Sequence, residues 1–112
     1  VGTDTGTTNS TSTIENTGNV DIDVDLNGTD LANGSSSIPV GNVKYASSTF
    51  TYSACAICNF LATTTATFEV DLPKATASTT PILDEIYWGI AVPTQTAGLT
   101  HNGINTFIAV DD

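Results

Sequence analysis

The sequence predicts an all-β fold, a two-sheet antiparallel sandwich, on three observations. The run Val20-Asp-Ile-Asp-Val-Asp-Leu26 alternates strictly, with Val20, Ile22, Val24 and Leu26 on one face and Asp21, Asp23 and Asp25 on the other. That is the period of a half-buried strand. Short segments rich in β-branched and aromatic residues recur roughly every ten residues, punctuated by Gly, Asn and Pro. No stretch reads as a convincing helix.

The elements follow in order. Residues 1–13 hold one hydrophobic side chain among Gly, Thr, Ser and Asn, too little to order by burial. They are expected to be a flexible arm, a linker, or a strand that pairs only with a partner. Ile14-Glu-Asn-Thr-Gly-Asn19 reads as a strand end and a turn of residues that tolerate positive φ. After the alternating strand, Asn27-Gly-Thr-Asp30 and Asn33-Gly-Ser-Ser-Ser37 carry turn chemistry. Ile38-Pro-Val40 marks a short edge segment, and strands are expected at Asn42–Tyr45 and Thr49–Tyr52. Thr63–Leu72 is a long strand with Phe68, Val70 and Leu72 on one face, and Pro73–Pro81 is a loop. Ile86–Val92 is apolar on both faces and so central. Asn102-Gly103 is a hairpin-type turn before Ile104–Val110. Seven to eight strands so arranged predict an immunoglobulin-like sandwich rather than a closed barrel. A length of 112 residues fits one domain.

Charge limits function. Twelve acidic residues face two basic ones, Lys44 and Lys74, for a net charge of −10. Nucleic-acid binding needs cations to displace phosphate counterions and is excluded; docking to anionic lipid is disfavoured. Only 12% of residues are charged, about half the usual share, so Thr, Ser and Asn supply the polar surface. That composition fits a protein facing the outside of a cell. A chain that begins with Val is expected to be a processed product, and no apolar run is long enough to span a membrane.

Cys55 and Cys58 form one Cys-Ala-Ile-Cys unit. No helix follows to depress a thiol pKa for redox work, and His101, the only histidine, cannot complete a zinc tetrahedron. A structural disulfide pinning a turn is favoured over free thiols, with a modest benefit of about 2 kcal/mol from so small a loop. Three glycosylation acceptors occur at Asn9, Asn27 and Asn33, the last two expected in loops.

Asp23-Val-Asp-Leu-Asn-Gly28 matches the start of a calcium loop, but position eight is Asp30 and position twelve is Gly34 where a bidentate Glu belongs. Asp21, Asp23, Asp25 and Asp30 then form either a solvated acidic face or a looser Ca²⁺ site built from adjacent loops. Catalysis needs a positioned base, acid or nucleophile. His101 sits in a turn with no nucleophile beside it in sequence, and Asp84 and Glu85 point to opposite faces of a strand; no enzyme is expected. Tyr87 and Trp88 offer rings for sugar stacking, although Trp88 is better placed as a core aromatic.

Ile14-Glu-Asn-Thr-Gly-Asn19, the alternating strand and Leu26–Leu31 resemble Ig-like modules of archaeal and bacterial cell-surface proteins, in which an N-T-G-N turn links the first strands. Ile38–Asn42, Ile86–Pro93 and Asn102–Phe107 are similar to the later strands of such modules. The resemblance covers Thr13 onward. It implies an Ig-like domain over residues 14–112, preceded by an arm where the modules usually carry another strand. An edge left open must be covered, and donation by a neighbour builds filaments when the contact is head-to-tail. The resemblance therefore implies a self-assembling subunit of an extracellular filament, tube or surface layer. An adhesive module that binds glycans or a protein partner is the alternative.

Overall fold

The computed structural model describes residues 2–76, 81–95 and 99–112. Ten strands are present: β1 (Thr3–Asp4), β2 (Ser10–Asn16), β3 (Ile22–Gly28), β4 (Leu31–Asn33), β5 (Ser36–Ile38), β6 (Val43–Ala46), β7 (Asn59–Phe60), β8 (Ala66–Leu72), β9 (Ile82–Val92) and β10 (Asn105–Asp111). Among the described residues two short 3₁₀ turns, Val40–Asn42 and Tyr52–Ala54, interrupt them. All the pairings are antiparallel.

One sheet is built on β9, which pairs with β6 on one side, followed by β7, and with β1 and β2 in succession on the other. The second sheet has the order β10-β3-β8, and β4 and β5 form a separate hairpin. The predicted all-β sandwich and its central strand at 86–92 are therefore present. Val24, Leu26, Phe68, Val70 and Leu72 of one sheet meet Val43, Tyr45 and Ile86 of the other in a single core. Tyr45 lies edge-on to Phe68 at 5.0 Å between ring centroids. The molecule is elongated, about 50 × 28 × 23 Å.

Several elements differ from expectation. The segment read as an arm is bonded to its own chain: β1 and β2 both run along β9, with Ser10 opposite Trp88 and Asn16 opposite Ile82. The ladder supplies backbone hydrogen bonds that need no apolar side chains, which is why a Thr/Ser-rich strand orders there. Val20 lies outside β3 and is exposed, so the inward face begins at Ile22. Thr49–Tyr52 is not a strand; Phe50 is buried and packs over Gly89. Asn27 and Gly28 belong to β3 and not to a turn. A side chain at Gly28 would come within 2.5 Å of Leu61 Cδ2 and 2.9 Å of Asn105 Oδ1, so glycine there answers close packing. The true turn is at Asn33-Gly34, where Gly34 has φ +54° between paired Asn33 and Ser36. Asn102 bridges Ala32, and β9 and β10 lie in different sheets, so no hairpin joins them. The predicted loop 73–81 lies partly outside the described residues.

Candidate interaction edge and acidic cluster

Asp21, Asp23, Asp25 and Asp30 do not converge. Asp21 accepts from the Lys74 N–H at 2.7 Å, Asp25 from the Thr67 hydroxyl at 2.6 Å, and Asp30 from the Val40 N–H at 2.8 Å. Asp23 is 4% exposed, not the solvated residue its place on the alternating strand predicts. The register between β3 and β8 shifts at this point, and Asp71 takes φ +47°. The bulge leaves the Val70 and Asp71 N–H groups without ladder partners, and both donate to Asp23 Oδ1, at 3.0 and 2.9 Å.

Asp23 thereby gathers Glu69, Asp71 and Asp112, whose carboxylate oxygens lie within 4.8 Å of one another. The Asp23 charge raises the pKa of both Glu69 and Asp112, with smaller contributions from desolvation and Asp71. Lys44 does not reach this cluster: it donates to the Tyr52 carbonyl at 2.8 Å and sits over the Tyr52 ring.

Groups whose pKa is raised on folding stabilise the fold at pH values below their unfolded pKa, and that stabilisation is lost as pH rises through the folded value. The thermal midpoint is therefore expected to rise on acidification from neutral pH toward the ordinary carboxylate range at about pH 4. In Asp23→Asn an amide oxygen still accepts both N–H groups while the charge is gone. A flatter pH profile is expected, with stability at neutral pH within about 1 kcal/mol of the parent. Asp23→Ala strands two donors and should lose about 2 kcal/mol or more. Thermal melts of the three proteins across pH check this; an unchanged profile in Asp23→Asn would rule the cluster out as its origin.

The remaining predicted residues are placed as follows. Cys55 and Cys58 are joined in a disulfide, leaving no free cysteine. Asn9 accepts from the Phe50 N–H through Oδ1, and its Nδ2 is enclosed without a partner among the described residues, which denies a glycan access in the folded state. Asn27 Nδ2 donates to Thr65 Oγ1 at 3.0 Å, and Asn33 Nδ2 to the Thr100 carbonyl. Trp88 lies against the core, its indole N–H donating to Ser12 at 3.0 Å and its ring tilted on Tyr45 at 5.5 Å. His101 meets Ser36 Oγ at 2.8 Å through Nε2. The separation of 65 positions hid this contact; it ties the segment before β10 to the β4–β5 hairpin.

The feature that sequence reasoning missed is the outer edge of β10. Phe107 and Ala109 lie opposite Leu26 and Val24 and so face inward, and Phe107 stacks edge-on against Trp88 at 5.9 Å. Ile108 and Val110 share the outer face with Asp25 and Asp23. Phe107 is nevertheless 42% exposed and Ile108 45%, because no described strand continues the sheet beyond β10. The long uncharged apolar run Ile104–Val110 is visible in the sequence, but not that it lies at an edge. Among the described residues no helix is long and apolar enough to cross a membrane. Comparison with protein-family models, curated proteins and solved structures finds no match to this chain.

Proposed function

We propose that this chain is a non-enzymatic extracellular structural module whose copies associate by β-strand pairing, as subunits of a surface filament, tube or layer. The observation that carries this reading is the outer edge of β10, which no described strand pairs and whose Phe107–Val110 stretch is apolar, on a protein of net charge −10. Soluble proteins ordinarily blunt such edges with charge, proline or a covering element, because free N–H and C=O groups recruit further strands. Within β10 charge enters only at the last residue, Asp111, and none of those devices lies on Asn105–Val110. The extracellular setting is supported by the Cys55–Cys58 disulfide and by the near absence of basic residues. The proposal needs no cofactor.

Light scattering behind size-exclusion chromatography, with negative-stain microscopy of the same fractions, tests it. Concentration-dependent growth into ordered particles is expected. A monodisperse monomer at millimolar concentration would overturn the proposal.

A further inference from the structure

Resting on that assembly reading, we infer that the partner of β10 is β10 of a second copy, paired antiparallel across a twofold axis at Ile108; such a self-complementary contact closes a dimer, the unit from which a larger assembly is built through other surfaces. Each residue of an antiparallel strand directs its N–H and C=O to one side, and the side alternates along the chain. Ile104 accepts from the Thr29 N–H and the Asp112 N–H donates to Asp21, so the even-numbered residues bond β3. Asn105, Phe107, Ala109 and Asp111 therefore direct their backbone groups outward.

A second β10 centred on Ile108 brings outward-directed residues opposite one another. Phe107 meets Ala109 of the second copy, and Asn105 meets its Asp111. Ile108 meets Ile108 as a non-hydrogen-bonded pair, the kind in which side chains approach most closely. A large ring beside a methyl group, twice over, fills the inner face without a clash.

Apolar content and charge together select this edge over the others. β8 carries two carboxylates, Glu69 and Asp71, and β7 is only two residues long; β2 carries one, Glu15, as β10 carries Asp111, but β2 has the single apolar residue Ile14 where β10 has Phe107, Ile108, Ala109 and Val110. Across the β10 seam the Asp25 side chains stand three strand spacings apart, about 14 Å. The two Asp111 residues are about 20 Å apart along the strands. Both separations exceed the Debye length at physiological salt.

Cross-linking tests the register. In Ile108→Cys the two thiols would meet at a Cα separation suited to a disulfide. Mild oxidation with oxidised glutathione should convert most of the protein to a covalent dimer. Thr106→Cys and Val110→Cys should each yield at least fivefold less dimer alone, but combine when mixed, since those two positions oppose one another. Ala109→Pro removes one outward N–H and no bond to β3, a place where an edge strand accepts proline. It should abolish association while leaving the thermal midpoint of the monomer near the parent value. Ordered assembly with no preference for Ile108→Cys and no effect of Ala109→Pro would overturn this register and leave strand assembly standing. A parent protein that stays monomeric overturns both.

Discussion

Asn16→Ala is expected to destabilise the fold by about 3 kcal/mol, because one amide holds the two sheets together at that end. Asn16 closes β2 and is 3% exposed. Its Nδ2 shares two hydrogens among the carbonyls of Val20, Leu72 and Pro73, at 2.9, 3.1 and 3.0 Å. Its Oδ1 accepts from the Gly18 N–H at 2.9 Å, shaping the Asn-Thr-Gly-Asn turn. Alanine removes every one of these contacts and leaves buried acceptors with nothing to accept from, the costly direction of the hydrogen-bond balance. A loss of this size should lower the melting temperature by roughly 12 °C. Asn16→Asp, nearly the same shape, sets a carboxylate against three carbonyls and should be at least as damaging at neutral pH. Thermal denaturation of both variants checks this, and tolerance of Asn16→Asp would show that the amide protons do not hold the junction.

Ile86→Ala carries the other large effect. Ile86 is fully buried on the inward face of β9, in the core shared by both sheets. Truncation removes three carbons and leaves a cavity that close-packed neighbours fill only in part, a loss of about 2–5 kcal/mol. Leu83, on the opposite face of the same strand and 58% exposed, gives the contrast: Leu83→Ala should change stability by less than about 0.5 kcal/mol. Urea titrations of the two variants test which face of β9 points inward.

What was legible in the sequence was whatever a side-chain period records. The apolar residues of β3 and β8 alternate with polar ones, and both strands bury the predicted face from Val24 and Phe68 onward. The two-sided apolar run of β9 marks its central place. Features fixed by a partner far along the chain left no such mark. Asp23 reads as a solvent-facing residue on its own strand, and only the bulge on β8 turns it into a buried acceptor. Its companions Glu69, Asp71 and Asp112 have no sequence relation to it. β2 was illegible because a strand lying along a sheet edge can be held by backbone bonds, with Thr11, Thr13 and Glu15 outward and only Ile14 apolar on its inner face. Thr49–Tyr52 misled in the other direction: its alternation reflects Phe50 folding onto Gly89, not a ladder. The sulfur bridge was legible because three residues of separation leave few geometries.

The pairing of β2 with β9 also sets an order of events. Ser12 lies opposite Ile86, so β2 has no ladder to join until β9, more than sixty residues further along the chain, has been made. Closing so long a loop is slow relative to local turns such as β4–β5. The Thr/Ser-rich character of β2 suits that interval: a segment with few apolar groups can wait in water, unpaired, without seeding aggregation. Made before β9, β2 can be laid down only after it, and its docking marks completion of the sheet.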